Sequence, residues 1–333
     1  MSPALPLLGY AAAVGLLAPR LLLRAAWAYR APALAVAVWQ GLIVSFVLAV
    51  ALAGHHLAAP TEHLHADVVG FLHWCGLTGA TGVPDPTITD RLTVALPLTV
   101  VAAALAAVAL EAFRGRRARA RHRRVLDLVG RRDPLLSATV VEHERPAVYC
   151  LPGRRSRIVV SAGALRLLSP GQLDAVLAHE RAHIAGRHHL ALAVTEGFAR
   201  LCGWLPLARH AREQTAVLLE MAADDRALDH HSRDLLATAM YEMAAARSVP
   251  PGAFAMNGPS TADDRSAAGN RTGAVSGGAG AMDGGGAGAL VRLRRVLHPQ
   301  RRPHPALRAV LAAGAALPPV IPLLFGCVPT PFT

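Results

Sequence analysis

Four stretches of almost purely apolar residues constrain this chain most, because each matches the ~20-residue length that a helix needs to cross a bilayer. They run over about 3–23, 31–54, 92–113 and 309–328. Arg20 near the end of the first, Gln40 within the second and Glu111 at the edge of the third are their main polar side chains. The fourth contains Pro318, Pro319 and Pro322. Membrane helices tolerate proline when neighbours satisfy the freed carbonyls. The chain is 53% hydrophobic and only 17% charged, which is too apolar for an ordinary soluble domain or a disordered chain. Four cysteines in 333 residues exclude a disulfide scaffold.

Charge orients the spans. The formal net charge is +12, and all 34 basic residues are arginine. Arg20, Arg24 and Arg30 lie between the first two stretches. A dense run from Arg114 to Arg124 follows the third, and Arg292, Arg294, Arg295, Arg301, Arg302 and Arg308 precede the fourth. The loop 55–90 has no arginine at all. The positive-inside rule then expects both termini outside and residues from about 114 to 308 in the cytoplasm. The Arg run abuts a span and lacks interleaved aromatics, so it reads as a lipid-headgroup anchor, and no direct nucleic-acid contact is expected. The first positive side chain follows the first apolar run, so no cleavable signal peptide is expected.

Four regions result. Residues 1–113 hold three spans with an outer loop 55–90 rich in histidine, and residues 114–249 form a folded cytoplasmic domain. Residues 250–305 read as a flexible Gly/Ala-rich linker and basic flank, and residues 306–333 hold the fourth span and a short outer tail. The folded part opens with three strand-like runs, 137–143, 147–153 and 157–161. Ser169 as a cap and Pro170 at the first helical position then start a helix. Its sequence, SPGQLDAVLAHERAHIAGRHHLALA, reads as one continuous run. Further helices are expected from Ala191, over about 212–229, and over about 232–247. The segment 190–208 is apolar, but Glu196 and Arg200 argue against a fifth span. The domain is α+β, a small sheet beside a helical bundle.

The chemistry centres on His179-Glu180-Arg181-Ala182-His183, an HExxH. On a helix, residues four apart share a face, so both imidazoles can reach one Zn²⁺ while Glu180 stands beside it as a base. With 16 histidines in the chain the motif alone is not decisive, and its helical setting carries the reading. Two residues compete for the third ligand. Glu220, in LLEMAADDRAL, shares a face with Asp224, which could take the other ring N–H of a ligand histidine. His189 completes the string HExxHxxGxxH with Gly186 at the would-be turn. Glycine inside a helix costs only about 1 kcal/mol, so the helix is expected to continue, and Glu220 is preferred. Tyr241 and His210 are candidates for holding an oxyanion.

Three spans, an Arg-rich stop, RIVVS, LSPGQLDAVLAHERAH, a Trp-Leu-Pro bend at 204–206, the acids at 220–224 and a fourth span follow in order. This arrangement resembles the BlaR/MecR-type membrane metalloproteases, the antirepressor peptidases of bacterial antibiotic sensing, over about Met1 to Val328. The zinc site also resembles that of the HtpX/CAAX-protease relatives, which share a helix-borne HExxH and an ExxxD pair. The resemblance implies an α-helical membrane protein with four transmembrane helices and an inserted gluzincin-like zinc protease domain. It implies His179, His183 and Glu220 as zinc ligands, Glu180 as general base and Asp224 as the carboxylate behind a ligand histidine. It implies that the strand 157–161 is an edge pairing with an extended substrate, and that the substrate is a winged-helix repressor of the BlaI/MecI kind. The expected setting is a bacterial plasma membrane, with the lipid bilayer as partner and a homodimer admitted. The antibiotic receptors carry a penicillin-binding sensor after the fourth span, and none is expected here. Proteolytic quality control of membrane proteins, as in HtpX-like enzymes, and a non-catalytic signalling scaffold are the rival functions.

Overall fold

The computed structural model describes residues 3–58, 88–248, 286–298 and 304–327. Residues 59–87 of the outer loop, with His63, His65, His73 and Cys75, and most of the Gly/Ala-rich segment, lie outside the described residues. The chain divides into two units: residues 1–112, 190–219 and 301–333, and residues 113–189 and 220–300.

In the first unit, proline shapes the apolar helices. The first is α1 (Ala4–Ala12), a wider π-wound turn (Ala13–Leu17), then α2 (Ala18–Leu23). Pro19 lacks the N–H that would close the ladder onto Gly15, and the turn is loosened just before it. A short α3 (Trp27–Arg30) leads to α4 (Pro32–Ala58), and α5 (Ile88–Val129) follows. Among the described residues, Ala4–Leu23, Pro32–Ala58 and Arg91–Val129 are long and apolar enough to cross a membrane. Membrane association follows from these helices. The fourth expected span falls on a helix, Pro305–Cys327.

Two proline-freed carbonyls find partners on neighbouring helices. Pro97 inside α5 has no N–H for the carbonyl of Thr93, and His55 Nδ1 lies 3.0 Å from that oxygen. His55 is therefore buried on α4, not part of an outer loop as its sequence position suggested. Pro322 likewise leaves the carbonyl of Pro318 without its helical donor. The hydroxyls of Tyr10 and Ser45 reach that oxygen at 3.0 and 2.5 Å, from two other helices. In lipid, where no water can replace a lost bond, such side chains keep a proline-broken helix in place.

The charges that spoke against a fifth span are paired. Arg200 donates to Glu111 at 2.6 Å, and Arg212 to Glu196 at 2.7 Å. Gly197 allows a close helix crossing, since a Cβ there would sit 2.7 Å from the Val108 nitrogen.

The second unit holds a four-stranded sheet: β1 (Gly130–Asp133), β2 (Ala138–Val141), β3 (Val148–Leu151) and β4 (Arg157–Ser161). The order is β1-β2-β4-β3, with β2 parallel to β4 and the outer pairs antiparallel. The sheet thus corrects one expectation: β4 is paired on both sides and cannot be an edge, and β3 takes that position. The edge strand β1, GRRD, has no β-branched residue to announce it, and its exposed Arg131 and Arg132 discourage edge-to-edge pairing. Ser161 ends β4 and caps the next helix, α6 (Ala162–Leu167), accepting from the Ala164 and Ala147 amides.

The helix carrying HExxH is α7 (Pro170–Ala185), and it starts where the sequence placed it. Ser169 and Gln172 close a capping box with Pro170 in the first turn. Gln172 also donates to Thr238 and Glu242, tying α7 to α10 (Arg233–Ser248), which follows α8 (His188–Cys202) and α9 (Pro206–Ala227). Val148, Cys150, Ile158 and Val160 of the sheet pack against Leu173, Val176 and Leu177 of α7 and Ala239 and Met243 of α10. That core fixes α7 against β3 and sets the height of its last two turns.

The end of α7 differs from expectation. The helix does not run on through Gly186. It stops at Ala185, Arg187 takes a left-handed φ of 49°, and α8 begins at His188. A further helix, α11 (Gly286–Leu297), lies where a basic flank was expected. Its Leu293 and Val296 pack with Ala175, Ala227, Leu236 and Met240. The last helix, Pro305–Cys327, is α12.

Candidate metal centre

Residues four apart on α7 and four apart on α9 face each other. His179 Nε2 and His183 Nε2 lie 3.1 Å apart. Glu220 brings Oε2 to 3.5 Å from the first and Oε1 to 3.4 Å from the second. Tetrahedral ligands at 2.0–2.1 Å from Zn²⁺ would stand about 3.3 Å from each other. The three spacings lie close to that value, so the donor set fits a zinc ion. Among the described residues, His179, His183 and Glu220 form the group able to hold a metal.

His179 and Glu180 are fully buried, and His183 nearly so. The other ring nitrogen of His179, Nδ1, lies 3.0 Å from Asp224 Oδ1. That is the carboxylate–histidine pairing expected behind a metal ligand.

Both oxygens of Glu180 are buried with no hydrogen-bond partner among the described residues. A buried carboxylate in that condition is costly unless something binds to it. Burial pushes Glu180 up to about 7, partly offset by the nearby His179 charge and by the Cys150 thiol and main chain. A base near neutral pH is what proton transfer at physiological pH requires.

The field around the ligands favours a cation. Burial opposes charge on His179, yet the adjoining Asp224 and Glu220 carboxylates outweigh burial and push it up to about 10. His183 is pushed down to about 3 by burial and by His179, which keeps a neutral lone pair available. Burial would raise Asp224, but the Arg292 charge and hydrogen bonds hold it well below the usual carboxylate range.

Arg292 is the residue that sequence reasoning missed. It comes from α11, is 1% exposed, and donates from Nε and Nη2 to the two oxygens of Asp224 at 2.9 and 2.7 Å. Its Nη1 lies 2.8 Å from Glu220 Oε2. One guanidinium therefore holds both acids of the ExxxD pair. Nearby, Arg295 donates to Asp225 at 2.8 Å. A flank of arginines next to a span invites an electrostatic-anchor reading, and nothing local marks one of them as buried.

The remaining candidates do not join the cluster. His189 is not among the converging groups, and its Nδ1 is buried without a partner among the described residues. Tyr241 is 65% exposed on α10. His210 belongs to the first unit and lies 3.6 Å from Glu213.

Residues 114–258 match the model of peptidase family M48. The match supports a metallopeptidase domain, and peptidases of that family are zinc enzymes, in keeping with the His-His-Glu cluster. No curated protein and no solved structure matches the chain.

Proposed function

We propose that this chain is a multi-pass membrane zinc endopeptidase that cleaves a cytoplasmic protein. One observation carries the reading: a buried, unpartnered Glu180 carboxylate beside three converging donors, His179, His183 and Glu220. In this reading the three donors hold Zn²⁺, and Asp224 and Arg292 hold the donors. Zinc supplies a Lewis acid that acidifies water and polarises a peptide carbonyl. Glu180 takes a proton from the attacking water at its carboxylate and returns it to the departing amine nitrogen. β3, an outer strand of the sheet whose Cys150 neighbours Glu180, would offer main-chain groups to an extended peptide.

The apolar helices and the arginine distribution support a plasma-membrane location with the protease domain in the cytoplasm and both termini outside. The BlaR/MecR resemblance points to a BlaI/MecI-like repressor as substrate, so that cleavage switches transcription. The long apolar helices on the same chain favour a second reading, quality control of membrane proteins.

The test uses the full chain in detergent, with Glu180→Gln as inactive control. Zinc near one per chain and cleavage of a winged-helix repressor by the wild type but not by Glu180→Gln is the expected result. Cleavage only of unfolded membrane proteins moves the assignment to quality control. Equal cleavage by both forms, or no zinc under metal-replete conditions, overturns the enzyme reading.

A further inference from the structure

His179 has a carboxylate behind it, but among the described residues His183 has none. What stands behind His183 is another imidazole. His188 Nδ1 lies 2.7 Å from His183 Nδ1, with the rings edge to face at 4.7 Å between centroids. Two facing ring nitrogens at that distance require one donor and one acceptor. His183 turns its Nε2 toward His179 Nε2 and Glu220. If that nitrogen keeps its lone pair for a metal, the ring proton sits on Nδ1 and is donated to His188. His188 then accepts at Nδ1 and carries its own proton on Nε2.

The backbone is arranged to allow this contact. A Cβ at Gly186 would lie 2.4 Å from His188 Nε2 and 2.6 Å from its Cδ2. The left-handed turn at Arg187 immediately precedes His188, whose ring meets His183 on the last turn of α7. An alanine at 186 would favour helix, yet it would occupy the space of the ring.

We propose that His188 is a positioning residue for His183, fixing its tautomer and ring orientation, and that Gly186 keeps the slot for the His188 ring open. The inference rests on the zinc reading above. It also gives the string HExxHxxG a different meaning here: the glycine admits the residue two further on, not a third ligand three further on. A neutral imidazole holds His183 without adding a further negative charge to a site that already contains Glu180, Glu220 and Asp224.

The experiment measures zinc affinity of the full chain in detergent by competition with a chromophoric chelator, together with the visible spectrum of the Co²⁺-loaded protein. His188→Ala should weaken zinc binding by about 10- to 100-fold, the usual effect of losing a group behind a ligand. His188→Asn should restore much of the affinity, because its amide oxygen can stand where Nδ1 stood. Gly186→Ala should weaken binding in the wild type and have no further effect in the His188→Ala background. Changed Co²⁺ bands in His188→Ala that return in His188→Asn would mark a geometric effect on the site, which a merely structural role would not produce. If His188→Ala fails to fold, His188→Asn and Gly186→Ala decide. Wild-type affinity in both His188→Ala and Gly186→Ala overturns the inference and leaves the zinc reading intact. A wild type that holds no zinc overturns both.

Discussion

Arg292 grips Asp224 through both carboxylate oxygens, at 2.9 and 2.7 Å, and neither residue is more than 1% exposed. The fork geometry of guanidinium matches a carboxylate in a way an ammonium cannot. Removing one member of a buried pair leaves the other charge without compensation, at a cost of about 3–5 kcal/mol. Arg292→Ala should therefore unfold at clearly lower denaturant and bind zinc poorly. Arg292→Lys, keeping the charge but losing the fork, should fall between that variant and the wild type. Chemical unfolding of the detergent-solubilised protein measures this, and wild-type stability in Arg292→Ala would remove the charge network from the account.

The third ligand separates by metal content. Glu220→Ala should lower zinc affinity by more than about 100-fold, beyond the usual effect of losing a group behind a ligand. His189→Ala should leave it within a few-fold of wild type. Equilibrium dialysis with inductively coupled plasma detection gives both numbers, and the opposite ranking would move the site.

Glu180→Gln should keep zinc and lose turnover. General-base catalysis contributes about 10²–10⁴-fold, so kcat/KM on any cleaved protein should fall by that order. A variant that lost metal together with activity would make Glu180 structural.

Cys150 is buried beside Glu180, and burial pushes its thiol well above the ordinary 9.0. A group whose folded pKa is raised gives stability that is complete below its unfolded value and is lost as pH rises beyond it. The wild type should therefore lose stability between pH 9 and 11 relative to Cys150→Ala, and iodoacetamide should label Cys150 only after unfolding. Rapid labelling in the native state at pH 8 would contradict this.

Tyr10 and Ser45 serve a carbonyl that exists as an orphan only because residue 322 is proline. Tyr10→Phe should cost about 0.6 kcal/mol, the average for interhelical hydrogen bonds in membranes, and at most about 1.7. In a Pro322→Ala background, where the helix regains its own donor, the same substitution should cost less. Equal costs in both backgrounds, measured by thermal inactivation, would separate the hydroxyls from the proline.

Local rules read much of this chain correctly. Ser169, Pro170 and Gln172 announce α7 because capping needs only neighbours in sequence. His179 with His183, and Glu220 with Asp224, are legible as pairs because four residues bring a helix back to the same face. The reading fails where partners are distant or where one backbone angle decides. The parallel pairing of β2 with β4 skips β3, and no strand pattern reveals which two of the three similar runs lie inside the sheet. Arg187 adopts its left-handed angle without being glycine or asparagine, so nothing in the string HIAGRHH shows that His188, not His189, turns back toward the site. Arg292 reaches Asp224 across 68 positions, and its neighbours Arg294 and Arg295 give it the look of a membrane anchor.

That separation has a consequence for the order in which the protein is made. The acids of α9 leave the ribosome long before α11 does, so for a time Glu220 and Asp224 exist without the cation that holds them. A chain stopped short of residue 292 would contain the whole HExxH and ExxxD yet lack the side chain that joins them.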